Sequence, residues 1–355
     1  MPEIHRGRTG ADWGFYFRLL LVAAGVVAAG LILWELAHLL LLVFAAILFA
    51  IMLRALSGLF AEHTPLGEKA SLAAAVLAIL LLLAGFSVLL GTQLMEQATQ
   101  LTDRIPELLE SLEKRLGSED IDEWIAERAR SAFDDATLVG DVAGYSSWAA
   151  GIAANVLLVL VGGVYLALHP GSYREGFLML VPAKARDEAA QTVDLLGDAL
   201  RLWLLGQLLA MLFVGALTTA GLWLLGVPSS LALGFIAGLL EFIPFVGPIL
   251  SAAPAVAVAL AEGPVTAAWV LGLYVAVQQV EGALITPLVQ QRAVDLPPAL
   301  TVFAIVAFGI LFGPLGVLLA TPLTVVCFVA VKKIWIRDTL EEETTVPGET
   351  EPEQE

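Results

Sequence analysis

The stretch LLEFIPFVGPILSAAP, residues 239–254, decides how the chain is interpreted. It lies in one of the most apolar parts of the sequence, yet its breakers and its acid are Glu241, Pro244, Gly247, Pro248 and Pro254. Proline removes a backbone donor and clashes with the preceding turn of a helix. In hydrocarbon, each carbonyl freed in this way needs another partner. A helix that only spans a bilayer has no use for such a sequence, so we expect the backbone to turn here.

The composition places this stretch in a membrane protein. Of the 355 residues, 59% are hydrophobic and 15% are charged, whereas soluble domains are about 45–50% apolar. About 20 apolar residues are enough to cross the hydrocarbon core of a bilayer. Eight apolar segments occur, at 17–36, 38–56, 71–92, 148–168, 203–226, 230–260, 264–285 and 299–331. The sequence therefore predicts an all-α, polytopic helical membrane protein.

Two of the segments, 230–260 and 299–331, exceed the length of an ordinary span. As straight helices they would measure about 45–50 Å, at ~1.5 Å per residue. Each has a cluster of breakers near its middle, Pro244–Pro248 in the first and Gly313–Gly316 in the second. We therefore predict two re-entrant helical hairpins beside about six full spans. The alternative is a pair of proline-kinked single spans that only pack.

The two long segments also resemble each other. IPFVGPILSAAPAV, from Ile243, and FGPLGVLLATPLTV, from Phe312, share the order proline, glycine, proline. Each long segment follows one ordinary span, 203–226 or 264–285. If both fold as hairpins, the two units are inverted in the membrane, which is the architecture of many secondary transporters.

The net charge of -17 belongs to the polar parts of the chain. Residues 93–147 hold 13 Asp or Glu against 5 Lys or Arg, and 338–355 hold 8 acids and no base. This acidity argues against nucleic acid as a partner. Apolar spacings of three and four between Leu94 and Leu116 predict amphipathic helix. The expected parts are N-terminal transmembrane helices at 1–92, an extracytoplasmic amphipathic helical region at 93–147, a transport core at 148–337 and a disordered acidic tail at 338–355.

Lys and Arg residues flank the apolar segments mainly on one side. They are Arg6, Arg8, Arg18, Arg54, Lys69, Arg174, Lys184, Arg186, Arg201, Lys332, Lys333 and Arg337. By the positive-inside rule, this placement puts both termini on the cytoplasmic side of the membrane. Two re-entrant hairpins also return Arg292 to the cytoplasmic side, whereas kinked single spans place it outside.

Polar side chains inside apolar segments are candidate functional positions, because lipid makes them costly. Glu241 lies one turn before Pro244. The segment AVQQVEGALITP carries Gln278, Gln279, Glu281, Thr286 and Pro287. Gln278 and Glu281 are three residues apart and share a helix face. These groups offer donors, acceptors and titratable carboxylates to a small polar ligand or a cation. The glutamines could instead only hydrogen-bond between helices.

Enzyme signatures are missing from the sequence. There is no HExxH pair, no GxSxG nucleophile motif and no Walker lysine loop. The single cysteine, Cys327, allows no disulfide within the chain, and no Cys/His zinc spacing occurs. We expect a protein that is not an enzyme and needs no cofactor or metal. Without an ATP-binding motif, transport would draw on an ion gradient or on downhill flow of the solute.

Three C-terminal motifs together resemble the AI-2E family of bacterial membrane proteins, known as candidate autoinducer-2 exporters. They are LLEFIPFVGPILSAAPAVAVAL, QQVEGALITPLVQQRAVDLPP and FGPLGVLLATPLTVV. The resemblance covers almost the whole chain, including the proline within LTDRIPELLESL. It implies a homo-oligomeric inner-membrane transporter, for which a pentamer is one option, whose hairpins move in an elevator-like manner. Gly282 departs from the pattern, since many relatives carry a polar residue such as Asn there.

The resemblance also implies a set of functional positions. The family motifs match Pro244, Gly247, Pro248, Gln279, Glu281, Pro287, Gly313, Pro314 and Pro322. With the residues argued above, the candidate substrate-binding and transport residues are Glu241, Pro244, Gly247, Pro248, Gln278, Gln279, Glu281, Thr286, Pro287, Gly313, Pro314, Gly316 and Pro322.

Three functions are compatible with these observations. The first is export of a small polar solute such as autoinducer-2 through a site at the hairpin tips. The second is sodium or lithium/proton antiport, which the resemblance also allows, using the same acids. The third is a membrane scaffold that recruits partners through residues 93–147. Membrane lipid and further copies of the chain are expected partners in each case.

Position 292 tests the hairpin topology directly. In a protein whose Cys327 is replaced by Ala, an Arg292→Cys variant should react with a membrane-impermeant maleimide only from the cytoplasmic side. The reason is that two re-entrant segments return the chain to the side from which it entered. Labelling of right-side-out and inverted vesicles measures this. Reaction only from the outer side would show two kinked single spans.

Overall fold

The computed structural model describes residues 13–65, 67–82, 84–85, 142–285, 294 and 296–349. All regular structure in these residues is helical, as predicted. Most of the predicted amphipathic region 93–147 lies outside the described residues. So do Thr286, Pro287 and Arg292. The N-terminal half forms α1 (Trp13–Glu35), α2 (Ala37–His63), α3 (68–82) and α4 (Val142–Leu168).

The C-terminal half begins with the short helix α5 (Pro170–Met179). The helices that follow are α6 (Arg186–Leu224), α7 (Ser230–Leu240), α8 (Val246–Glu262), α9 (Pro264–Val280) and α10 (Pro298–Ala330). A π-helical turn, Glu281–Ile285, extends α9, and a second π-helical segment, Val331–Thr339, extends α10.

The first predicted chain reversal is present between α7 and α8, and we call this pair hairpin 1. Its tip is the turn 241–245, where Phe245 adopts a φ of 65°. Beyond the tip, the backbone of Gly247 packs directly on the carbonyl oxygen of Leu240, so that a Cβ at this position would overlap that oxygen. Glycine is therefore required where the two arms meet.

The second predicted reversal lies within α10, which is broken at Gly313 (φ 67°, ψ −149°). The two arms, 298–312 and 314–330, form hairpin 2. Gly316 packs so closely on the carbonyl oxygen of Phe308 that a Cβ would overlap it. Eight residues of straight helix would separate these two positions by about 12 Å. The contact therefore requires the chain to fold back at Gly313.

Six helices in the described residues are long and apolar enough to cross a membrane. They are Phe17–Glu35, Ala37–His63, Ala150–Leu168, Ala183–Leu224, Pro264–Leu284 and Pro298–Thr339. The last of these contains the reversal at Gly313, and the arms of hairpin 1 are shorter apolar helices. Of the predicted span 71–92, only residues 71–82 and 84–85 are described. The chain is a multi-pass membrane protein.

Two apolar cores lie along the 39-residue helix α6. The core near its C-terminal half joins α6 to both arms of hairpin 1 and to α9, with Leu222, Ala255 and Val270 fully buried. The core near its N-terminal half joins α6 to α2 and to the second arm of hairpin 2. A smaller core joins α2, α3 and α4 around Leu53. Helix α6 therefore links the two hairpins.

The segment after α10 differs from the predicted disordered tail over residues 338–349. Val346 is 3% exposed and packs with Ala199 and Leu200 of α6. The Arg337 guanidinium binds both carboxylate oxygens of Glu349 and donates to the carbonyl of Thr344 at 2.6 Å. An apolar anchor and an ion pair thus hold residues 340–349, which we call the C-terminal strap. Composition indicated disorder because the sequence is acidic, and it gave no sign of this anchor. Residues 350–355 lie outside the described residues.

The close contact at Gly247 predicts a stability effect. Gly247→Ala should destabilise the protein by about 1–3 kcal/mol, because the added methyl must displace the Leu240 carbonyl. Gly272→Ala in α9 is the matched control, since a Cβ there meets nothing within 4 Å in the described part of the chain. It should be neutral, or stabilising by up to about 1 kcal/mol. Thermal unfolding in detergent measures both, and equal melting temperatures would contradict the contact.

The strap should loosen in acid. The hydrogen bond from Arg337 lowers the pKa of Glu349 below its ordinary value. The ion pair therefore contributes its full stability above the ordinary glutamate pKa and loses it as the pH falls through the lowered one. Glu349→Gln should raise hydrogen exchange of residues 340–349 already at pH 7, whereas Glu343→Gln, an exposed control, should not. Identical exchange in both variants would show that Val346 alone holds the strap.

Candidate transport site

A groove of about 630 Å³ runs between α8 and α9. Its lining residues are Pro248, Ile249, Ala252, Ala253, Val256, Leu271, Tyr274, Val275, Gln278 and Gln279. Most of this surface is apolar, and the two glutamines lie together at the C-terminal end of α9. Pro248, at the start of α8, lines the same groove. The groove therefore combines an apolar wall with amide groups at the end that faces the tip of hairpin 1.

Glu241 lies at the tip of hairpin 1 and is only 6% exposed. The amide of Gln278 donates to its carboxylate Oε2 at 3.3 Å. From α6, Gln207 Nε2 donates to the main-chain oxygen of Glu241 at 2.7 Å. The half-buried Glu281 interacts electrostatically with the same carboxylate. Two acids and two amides from four elements thus meet at this tip.

The second arm of hairpin 1 is tied to α9 beside the groove. The buried Tyr274 hydroxyl donates to the carbonyl oxygen of Ser251 at 3.1 Å. The Ser251 hydroxyl in turn donates to the carbonyl oxygen of Pro248, also at 3.1 Å. These two bonds fix the second arm of hairpin 1 against α9 beside the groove.

The local structure at the end of α9 determines how Glu281 is presented to the tip. Helix α9 ends at Val280, and its last residues pass into the π-helical turn Glu281–Ile285. A π-turn inserts an extra residue and re-aims the side chains that follow. This turn packs against α6, on the side from which Gln207 reaches the tip. The segment before the undescribed residues 286–293 is thus held on the same helix as hairpin 1.

The predicted site residues divide into two groups in the structure. Glu241, Gln278 and Glu281 come together at the tip of hairpin 1. Pro248, Gln278 and Gln279 line the groove, and Pro244 and Gly247 shape the turn. The second group, Gly313, Pro314, Gly316 and Pro322, belongs to hairpin 2 and does not line the groove.

Hairpin 2 meets α6 through apolar contacts. Pro322 is fully buried, and the tip residues Phe312 and Leu315 pack on the core that contains Trp203. Phe242 of hairpin 1 packs on the same core. The two tips therefore share a supporting core, although the interacting carboxylates and amides described above lie at the tip of hairpin 1.

Sequence reasoning missed three residues of this region, Gln207, Ser251 and Tyr274. Gln207 is the lone amide within the apolar run LWLLGQLLAMLF of α6. A polar side chain in such a run is a functional candidate by the rule that selected Gln278, so this signal was present. Ser251 and Tyr274 gave no comparable signal, since both residue types are common in membrane helices.

Comparison with known proteins agrees with this architecture. The sequence model of the family described as AI-2E family transporter matches residues 20–336 of this chain. This chain belongs to the AI-2E transporter family. Among its relatives, the candidate transport protein MT0215 of Mycobacterium tuberculosis is 33% identical over 339 residues, which cover 89% of this chain and 88% of the relative.

Two other relatives match a smaller part of this AI-2E family member. The candidate transport protein YueF of Bacillus subtilis is 32% identical over 176 residues, 48% of each chain. The AI-2 transport protein TqsA of Escherichia coli is 25% identical over 185 residues, 51% of this chain and 52% of TqsA. The chain thus spans about half the length of these two relatives. The family and the names of its members indicate a membrane transport protein rather than an enzyme.

Proposed function

We propose that this protein is a secondary transporter that exports a small polar solute, such as autoinducer-2, across the bacterial inner membrane. One observation carries the proposal: Gln278 both lines the groove and donates to the buried carboxylate of Glu241. A solute in the groove can therefore act on the tip of hairpin 1 through a single amide. The name of TqsA as an AI-2 transport protein supports this class of solute.

The binding step follows from the chemistry of the amides. An amide side chain offers both a donor and an acceptor, so Gln278 and Gln279 suit a solute rich in hydroxyl or carbonyl groups. The amide nitrogen of Gln278 carries two N–H donors, and a solute that takes the one bound to Glu241 competes with that carboxylate. Loss of that bond leaves the carboxylate to find a proton or another partner, since a buried unpaired charge is costly. Binding in the groove is thereby linked to a change at the hairpin tip.

Movement of the hairpins would carry the site between the two sides of the membrane. In this proposal both termini are cytoplasmic, the region 93–147 is extracytoplasmic, and the hairpins re-enter without crossing. The elevator-like movement and the homo-oligomeric assembly follow from the family resemblance. Thr286 and Pro287 would extend the site beyond the described end of the π-turn.

The pair of acids at the tip of hairpin 1 supports a second candidate function, sodium or lithium/proton antiport. Buried Glu241 and half-buried Glu281 interact electrostatically there. A monovalent cation could replace a proton between two such carboxylates. The apolar lining of the groove favours an organic solute over a hydrated ion, and for this reason antiport stands second. A scaffold acting through residues 93–147 would need neither the groove nor the acids.

Substitution of Gln278 tests the proposed link. Gln278→Leu should reduce export of autoinducer-2 by about tenfold or more, because it removes both the solute contact and the bond to Glu241. Export is measured as efflux from loaded right-side-out vesicles or as uptake into inverted ones. Glu281→Gln should change the pH profile of export while leaving assembly intact. Gln191→Leu, at an exposed position of α6, is the matched control and should transport as the parent does.

The same vesicles separate the alternatives. Proton movement driven by sodium or lithium with no organic solute present, and abolished in Glu281→Gln, would favour antiport. Normal export by Gln278→Leu would contradict the groove as the binding site. Loss of function on deletion of 93–147, together with silent changes at Gln278 and Glu281, would indicate the scaffold.

A further inference from the structure

The tip of hairpin 1 is held from α6 by two side chains that lie one helical turn apart. Gln207 Nε2 donates to the main-chain oxygen of Glu241 at 2.7 Å. Trp203 packs edge-on against Phe242, with ring centroids 5.8 Å apart and an interplanar angle of 74°. Residues four apart share a face of a helix. One face of α6 therefore grips two consecutive residues of the tip.

The bond from Gln207 satisfies a carbonyl at a helix end. Glu241 is the C-terminal cap of α7, and the carbonyls of the last turn of a helix have no partner within it. At membrane depth there is no water to donate a hydrogen bond to such a carbonyl. Gln207 is a neutral donor, so it satisfies this oxygen without adding a charge beside Glu241 and Glu281. Its position also determines where the α-carbon of Glu241 lies.

The arm that leads to the tip is fixed independently of Gln207. Helix α7 packs on α6 through Gly238 and Gly234, and a Cβ on Gly238 would lie 2.6 Å from the main-chain oxygen of Met211. Such a distance means that the two backbones are in direct contact, which holds the arm closely on α6. Beyond Leu240, the chain passes through the turn to Phe245, whose positive φ is strained for an aromatic residue. Residues 241–245 are therefore the part of hairpin 1 that is not held in regular helix.

We propose that Gln207 is a positioning residue that latches this tip, so that the carboxylate of Glu241 meets Gln278 at the end of the groove. Glu241 is then held on two sides, through its main chain by α6 and through its side chain by α9. Release of the Gln207 latch frees the tip to follow a solute that has taken Gln278. The consequence for transport rests on the proposed function, whereas the latch itself is a property of the tip.

The test measures the order of the tip rather than transport. A single cysteine replaces the half-buried Ile243 of the tip in a protein whose Cys327 is Ala, and its rate of reaction with a maleimide is followed in detergent from pH 5 to pH 8. Gln207→Met has nearly the same size but cannot donate, and it should raise the labelling rate by about 3- to 10-fold, as expected for loss of one hydrogen bond. Each rate is divided by that of the Gln207 protein at the same pH, which removes the titration of the thiol.

A second variant separates a latch from simple packing. In Gln207→Glu, the carboxyl group can donate to the Glu241 carbonyl only when it is protonated. Its relative labelling rate should therefore be high at pH 8 and fall towards the parent value at pH 5, while Gln207→Met stays high throughout. Among the described residues, Glu281 is the charged group that acts on Glu241, so the profile is repeated in a Glu281→Gln background. The matched controls are Gln191→Met and Gln191→Glu.

Each outcome decides the inference. A pH-dependent rate in Gln207→Glu that persists without Glu281 supports the latch, and comparison within this one variant holds even if Gln207→Met folds poorly. Parent-like labelling in both variants, or an increase in Gln207→Glu that does not depend on pH, would overturn it. If labelling behaves as expected while Gln278→Leu exports normally, the latch stands and the proposed transport site is wrong.

Discussion

The need to satisfy backbone groups away from water governs hairpin 1, and the rest of the site depends on it. Its turn keeps short main-chain bonds, from the amide of Ile243 to the oxygen of Leu240 at 2.9 Å and from that of Gly247 to the oxygen of Ile243 at 2.8 Å. The carbonyl of Glu241 is left over, and Gln207 binds it. A membrane helix that simply continued would need none of these arrangements. Because the prolines break the helix at this turn, polar side chains are needed around the tip to bind the backbone groups left without partners.

Helix α6 connects the two halves of this arrangement. Its C-terminal half is packed on hairpin 1 through glycines, and its N-terminal half carries hairpin 2, α2 and the C-terminal strap on one core. Trp203 lies where the two regions meet, because it belongs to that core and also contacts Phe242 of hairpin 1. A displacement of either hairpin must therefore act on α6. This makes α6 a structural part of any transport movement, although the sequence marked it only as an ordinary span.

The sequence predicted the fold in considerable detail because proline and glycine change backbone geometry locally. The breakers at Pro244–Pro248 and Gly313–Gly316 are sufficient to locate both reversals, and an apolar segment longer than a span indicates that the chain folds back. Contacts between distant segments could not be obtained in this way. Gln207 pairs with a carbonyl 34 residues later, and Val346 inserts beside Ala199, with no repeating pattern to reveal either contact. The C-terminal strap shows the same limit. An acidic composition indicates a segment that water dissolves well, but it does not reveal that one residue, Val346, is buried.

The two hairpins are alike in sequence but differ in their surroundings. Hairpin 1 meets amides and acids at its tip, whereas Phe312 and Leu315 of hairpin 2 enter an apolar core, with Phe312 also 6.4 Å from the ring of Trp34. Duplicated breakers thus preserve the shape of a re-entrant hairpin without preserving its chemistry. If solute binding requires donors and acceptors at membrane depth, the polar environment of hairpin 1 makes it the binding element. Hairpin 2, whose tip packs on aromatic and aliphatic side chains, is then the counterpart against which hairpin 1 is positioned, and the repeated breakers give two hairpins of like form rather than two equivalent sites.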